Sequence, residues 1–259
     1  MEVRTNVDRL YQGLKMFKIM RIRMKHFFWG ISIFVVAAIG LAGCTKTGSS
    51  YTVSPVTYVS LMNVAPYSPT ADVYLNGQRA TPEGGIASGS YSLKYGALQP
   101  GSYSILFKKT GSMDSLTAIP GTNRLDTLNF YTLIMYNDTM PTHGAQSMLI
   151  HDDFTSISTT NANYRFFNLS PDAPNVNFYL NGGTSATYTN RTTGDNAFNP
   201  GFNTFQSTAP STYSFLVKSA AGDSISTLPN QNLMGGNVYT IFLTGVKGSY
   251  KLNLLPASY

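Results

Sequence analysis

Two stretches decide the fold. Asn63-Val64-Ala65-Pro66-Tyr67-Ser68-Pro69-Thr70-Ala71-Asp72-Val73-Tyr74-Leu75-Asn76-Gly77 aligns with Asn168-Leu169-Ser170-Pro171-Asp172-Ala173-Pro174-Asn175-Val176-Asn177-Phe178-Tyr179-Leu180-Asn181-Gly182, seven of 15 positions being identical at an offset of 105. Each begins where an apolar stretch meets prolines, which fix φ and remove a ladder donor, and ends on Asn-Gly, a pair that tolerates positive φ and closes tight hairpins. Each therefore reads as strand, turn, strand, turn.

The correspondence continues downstream. Pro100–Lys108 pairs with Pro210–Lys218, Asp114–Thr117 with Asp223–Ser226, and Tyr131–Ile134 with Tyr239–Phe242. The offset stays between 105 and 110, so insertions are small and belong to loops. A period near 100 residues is that of a domain rather than of a solenoid unit. The expected organisation is a leader over 1–43, a tether over 44–56, one repeat over 57–157 and a second over 160–259, with the polar run Ser156–Asn163 between them.

Both repeats read as all-β. Ser102–Lys108 places Tyr103, Ile105 and Phe107 on one face and Ser102, Ser104 and Leu106 on the other, the two-residue period of a half-buried strand. Asn129–Tyr136 and Val238–Val246 are rich in β-branched and aromatic residues, and no apolar period of 3.6 persists after residue 44. Several short strands per repeat, punctuated by Gly and Pro, predict two tandem antiparallel β-sandwiches of immunoglobulin- or transthyretin-like outline.

The leader is read separately. Seven basic residues precede residue 44, opposed only by Glu2 and Asp8, so the net charge of +6 falls to 11 − 10 = +1 from residue 44 onward. No basic stripe remains to follow phosphates, and no nucleic-acid partner is expected. After Lys25, the run Phe27–Ala42 is mostly apolar. At about 16 residues it is short of the roughly 20 of a spanning helix and fits a signal peptide. Leu41-Ala42-Gly43-Cys44 resembles the bacterial lipobox. That resemblance implies recognition of Leu41, Ala42 and Gly43 by lipoprotein signal peptidase. It also implies a thioether-linked diacylglycerol and an acylated amine (palmitate-type chains) on Cys44, the chain's only cysteine. Two or more acyl chains anchor stably where one does not. Translation is expected to start at Met16, Met20 or Met24. Thr45 after the cysteine, by resemblance to known sorting rules, implies the outer membrane, and the absence of acidic residues over 45–50 implies its periplasmic face.

Ser170-Pro171-Asp172-Ala173-Pro174, followed by Asn177-Phe178-Tyr179-Leu180-Asn181-Gly182, resembles the bacterial family known as domain of unknown function 4397, whose hallmark is SPDAPxVDVYxxG. The second repeat keeps SPDAP but carries Asn177-Phe178 for Asp-Val, and the first keeps Asp72-Val73-Tyr74 but loses SPDAP. A histidine preceding the motif in the family is replaced here by Asn63 and Asn168. The family implies a β-sandwich in envelope or secreted proteins and supplies no catalytic residues. Asp172 is expected to accept local backbone N–H bonds in an Asx-type turn.

Catalytic signatures are absent: there is no G-x-S-x-G, S-x-x-K, H-E-x-x-H, phosphate loop or calcium loop. Neither a cofactor nor a metal is expected, and the chain is not expected to be an enzyme. The one constellation that permits another reading is His151-Asp152-Asp153, which with His143 could form a metal-assisted or carboxylate hydrolase centre. Zinc there would need a further ligand. Asp114-Ser115-Leu116, Asp126-Thr127-Leu128, Asp138-Thr139-Met140 and Asp223-Ser224-Ile225 resemble a periplasmic O-glycosylation sequon, implying modification at Ser115, Thr127, Thr139 and Ser224. The expected role is that of a membrane-anchored, non-enzymatic envelope lipoprotein, a binding or structural module for a glycan or protein partner. Its tyrosines offer contact area, since the only tryptophan, Trp29, lies in the leader.

Overall fold

The computed structural model describes residues 54–139 and 142–257, and these belong to one compact unit. Nine strands come from the first half of that unit: β1 (Thr57–Asn63), β2 (Ala71–Leu75), β3 (Gln78–Arg79), β4 (Ser90–Tyr91), β5 (Gly96–Leu98), β6 (Gly101–Lys109), β7 (Ser115–Leu125), β8 (Phe130–Asn137) and β9 (Ala145–His151). Eight come from the second: β10 (Ala162–Asn168), β11 (Val176–Leu180), β12 (Tyr188–Arg191), β13 (Gln206–Thr208), β14 (Ser211–Ser219), β15 (Ser224–Leu233), β16 (Val238–Thr244) and β17 (Lys251–Pro256). The only helical segments among the described residues are two short 3₁₀ turns, Asp195–Ala197 and Pro200–Asn203.

The halves repeat one topology. In the first, a sheet ordered β4-β1-β8-β9, with β5 also pairing β1, faces a sheet ordered β3-β2-β6-β7; in the second, β13-β10-β16-β17 faces β12-β11-β14-β15. The all-β sandwich reading holds. Every ladder is antiparallel save one in each half, because β1 runs parallel to β8 and β10 runs parallel to β16.

Two-residue alternation sets the outer sheets. Along β14, Tyr213, Phe215 and Val217 are buried while Ser214, Leu216 and Lys218 are partly exposed. Asn76-Gly77 joins β2 to β3 as a two-residue turn with φ of 50° and 78°, the both-positive geometry that matches strand twist. Asn76 Oδ1 accepts from the Ser104 amide at 2.8 Å, and Asn181 Oδ1 does the same for Ser214 at 2.8 Å.

The inner sheets obey another rule. Ala162–Asn168 is buried at every position, and Phe130–Asn137 and Val238–Thr244 at all but one. Their sequences, FYTLIMYN, ANYRFFN and VYTIFLT, do not alternate cleanly, as suits strands covered on both faces. One face closes the sandwich core. The other enters a third buried cluster shared by the halves, in which Met62, Val64, Ile134, Tyr136, Met148 and Ile150 meet Phe167, Leu169, Phe242 and Leu255. Four layers result, with the two inner sheets back to back. Met62 and Phe167, like Val64 and Leu169, are repeat-equivalent positions at an offset of 105. The halves thus meet through the same surface, as in an isologous dimer.

Candidate functional site

The turn after β1 and its counterpart after β10 are each fixed by a buried asparagine. Asn63 Oδ1 accepts from the Ala65 amide at 3.3 Å and Asn168 Oδ1 from the Ser170 amide at 3.2 Å. Their Nδ2 groups donate to the carbonyls of Ile86 at 2.9 Å and Arg191 at 3.2 Å. These two asparagines therefore make the Asx-type turns. Asp172 does not, which corrects the expectation for its carboxylate. Its Oδ2 accepts from the Tyr67 hydroxyl at 2.7 Å and from the Lys247 amide at 3.4 Å, while its backbone carbonyl accepts from the Tyr250 hydroxyl at 2.8 Å.

Tyr67 and Asp172 are themselves equivalent positions of the two repeats, 105 residues apart, and they meet where the halves join. His143 completes the group: its ring stacks on Tyr67 with centroids 4.3 Å apart, and its Nε2 lies 3.5 Å from Asp172 Oδ1. Asn137, fully buried at the end of β8, positions both rings. Its Oδ1 accepts from the Tyr67 amide at 2.9 Å, and its Nδ2 donates to the His143 carbonyl at 2.7 Å and to Ser68 Oγ at 2.9 Å. Beside Asp172 an open groove of about 610 Å³ is lined by Thr139 from the first half and by Pro171, Pro174, Asp223, Lys247 and Tyr250 from the second. Tyr67 remains 50% exposed at its edge. The bond to Asp172, followed by slight burial and that carboxylate's charge, holds the Tyr67 phenol above its ordinary pKa. Burial first, then the same charge, does so for Tyr250. Both hydroxyls therefore stay protonated donors at neutral pH.

The His151-Asp152-Asp153 constellation is brought together only in part: His151 and Asp153 line one open pocket of about 410 Å³, and Asp152 is not among its lining residues. His151 is exposed and its Nε2 lies 3.3 Å from Asn129 Oδ1. Asp153 caps the following turn, accepting from the Thr155 amide at 2.9 Å and hydroxyl at 2.6 Å, and those bonds lower its pKa. Asp152 points inward, 1% exposed, and is ion-paired with Arg165 of β10, itself 2% exposed. Tyr95 and Thr132 hydroxyls donate to the other Asp152 oxygen at 2.9 and 2.6 Å. Arg165 also donates from Nε to Thr240 Oγ1 at 3.0 Å and lies against the Phe167 and Phe205 rings. This polar cluster bridges the two inner sheets, and the sequence reading missed it. Its signal was an arginine within the apolar strand ANYRFFN. Among the described residues no three His, Cys, Asp or Glu side chains stand where they could hold one metal.

Ser115, Thr127, Thr139 and Ser224 are all exposed. Leu41, Ala42, Gly43 and Cys44, like the rest of residues 1–53, lie outside the described residues.

Residues 57–179 match the family model of DUF4397, a domain of unknown function. The DUF4397 resemblance read from SPDAP is therefore shown, and the matched span runs from β1 through Tyr179, taking in that motif. No curated protein matches the chain. Two solved structures are similar in part. One is the family CBM26 module CBMbc of Eubacterium rectale Amy13K, in complex with maltoheptaose (11% identity, 76% of this chain and 95% of that one, TM-score 0.25). The other is a Bacteroides fragilis NCTC 9343 protein provisionally described as a cell adhesion protein (10% identity, 79% and 98%, TM-score 0.22). At those scores neither likeness bears on function.

Proposed function

We propose that this chain is a non-enzymatic binding module of the bacterial envelope, held to the membrane by lipid on Cys44 and presenting the Asp172 groove to a glycan. The observation that carries the reading is the exposed Tyr67 ring, backed by His143 and tied by its hydroxyl to the Asp172 carboxylate at 2.7 Å. A tyrosine ring beside a carboxylate and the hydroxyls of Thr139, Ser219 and Tyr250 suits a sugar, which offers an apolar face and many hydroxyls. Groups that converge on a groove this open bind without enclosing, which suits a polymer better than a small substrate. The two repeats, 57–157 and 160–259, serve as tandem modules, and the tether over 44–56 gives a typical reach of about 20 Å at roughly 5–6 Å × √n. Placement on the periplasmic face of the outer membrane belongs to the same reading, as does sugar on Ser115, Thr127, Thr139 and Ser224. The test is a screen of immobilised envelope polysaccharides and of α- and β-linked glucans with the native chain and with Tyr67→Ala. Binding that Tyr67→Ala weakens at least tenfold is expected. Binding indifferent to Tyr67, or none to any glycan, would sink the glycan assignment. A protein partner recovered from envelope extract whose binding does depend on Tyr67 would move the same groove to a protein ligand.

A further inference from the structure

The first half carries a cleft that the second half closes with its own side chains. Val59, Leu61 and Val73 occupy positions that in the second half are Tyr164, Phe166 and Phe178, each at the offset of 105. There the three rings close on Tyr188, which β12 places across from Phe178. Phe166 stacks on Phe178 with centroids 4.8 Å apart, and Tyr188 lies 5.9 Å from Phe178 and 6.2 Å from Tyr164. In the first half β3 ends at Arg79, and the residue that next bonds to Val73, through its amide at 2.8 Å, is Ala80. Aliphatic side chains thus stand where three of those rings stand in the other copy, and Ala80 is the counterpart of Thr187, which precedes Tyr188 and donates its amide to the Phe178 carbonyl at 2.8 Å. The space left is a cleft of about 230 Å³ walled by Val59, Leu61, Val73, Ala80, Leu98 and Leu133.

The mouth differs from the wall. Lys94 and Ser92 stand at it, and Lys94 is exposed. No carboxylate pairs with Lys94 among the described residues. Apolar cavities of about 150 Å³ admit a benzene ring, so 230 Å³ holds one ring and a short linker. An ammonium free of internal partners favours an anion at the end of that linker.

We propose that this cleft binds a small aromatic carboxylate, its ring among Leu61, Val73 and Leu133 and its charge at Lys94. The site is independent of the Asp172 groove, so its fate and that of the glycan reading can be told apart. The probe is 3-phenylpropionate, titrated into the purified full chain and followed by NMR of the leucine and valine methyls. Saturable binding at about 1 mM or tighter is expected for a ligand of this size, with shifts at Leu61, Leu98 and Leu133 and an unchanged affinity in Tyr67→Ala. Leu61→Phe restores a ring of the second half, and Ala80→Tyr supplies one where the cleft opens. Each should weaken binding at least tenfold, and if one fails to fold the other decides. Lys94→Ala should weaken 3-phenylpropionate about fivefold and leave the neutral 3-phenylpropanol unchanged. Absence of saturation, or affinity unaltered in a folded filling variant, would overturn the site. Hexanoate binding more tightly than 3-phenylpropionate would overturn the ring assignment.

Discussion

Removing the Asp152 carboxylate isolates the Arg165 guanidinium in the middle of the molecule. Both groups are at most 2% exposed, and Tyr95 and Thr132 aim their hydroxyls at the same carboxylate. In Asp152→Ala, Arg165 keeps Thr240 and the Asn203 carbonyl but loses its counter-charge. Breaking a buried pair from one side costs about 3–5 kcal/mol, because a desolvated charge is left uncompensated. For a unit of this size each kcal/mol lowers Tm by about 2–4 °C, so a fall of about 6–20 °C is expected. Arg165→Met in the same chain removes the stranded charge and should return part of the loss, leaving a double variant more stable than Asp152→Ala alone. Urea unfolding followed by circular dichroism gives the energies, and unchanged m-values show that the same surface is being exposed. A loss under about 1 kcal/mol in Asp152→Ala, or a double variant no more stable than the single one, would refute the idea that this pair is a desolvated bridge between the inner sheets.

Three further outcomes follow from the same contacts. Asn137→Ala leaves the Tyr67 amide and the His143 carbonyl without their partner; a loss of about 1–3 kcal/mol and a weakened groove are expected, read by urea unfolding and by glycan binding. Tyr136 is pushed up to about 12 from its ordinary 10.0, first by burial and then by the charges of Asp138 and Asp195. Its neutral form is favoured only in the fold, so its contribution is whole below the unfolded value and is lost as pH rises through the folded one, between about 10 and 12. Unfolding midpoints against pH should therefore fall across that window as tyrosinate absorbance rises, and a flat profile there would contradict the buried setting. Intact-mass spectra of envelope-derived protein should exceed the peptide mass by hexose multiples placed at Ser115, Thr127, Thr139 or Ser224, and bare hydroxyls at all four would remove the glycosylation reading.

Local rules were legible in the sequence wherever the chemistry is local. Tyr213-Ser214-Phe215 alternates because one face of β14 is wet, and Asn76-Gly77 turns because both residues tolerate positive φ. The repeat was legible for the same reason, as each copy must rebuild the same strands. The parallel pairs β1–β8 and β10–β16 were not anticipated, although the unbroken runs FYTLIMYN and ANYRFFN carried the sign of burial on both faces. Contacts between the halves were not legible at all. Asp172 finds Tyr67 across 105 residues and Asp152 finds Arg165 across a sheet boundary. Neither side chain's neighbours in sequence record that meeting. In sequence Asp172 reads as a turn carboxylate and Asp152 as part of a possible hydrolase centre; only the stacking of the inner sheets gives each its partner.

Hydrogen exchange of the native chain with and without an envelope polysaccharide that it retains tests the binding role most directly. Slowed exchange is predicted around residues 65–68, 142–144, 171–174, 223–225 and 247–250, the segments that converge on the Asp172 groove, with the outer strands β3 and β7 unaffected. Protection confined to those outer strands, or none anywhere at saturating glycan, would contradict the account.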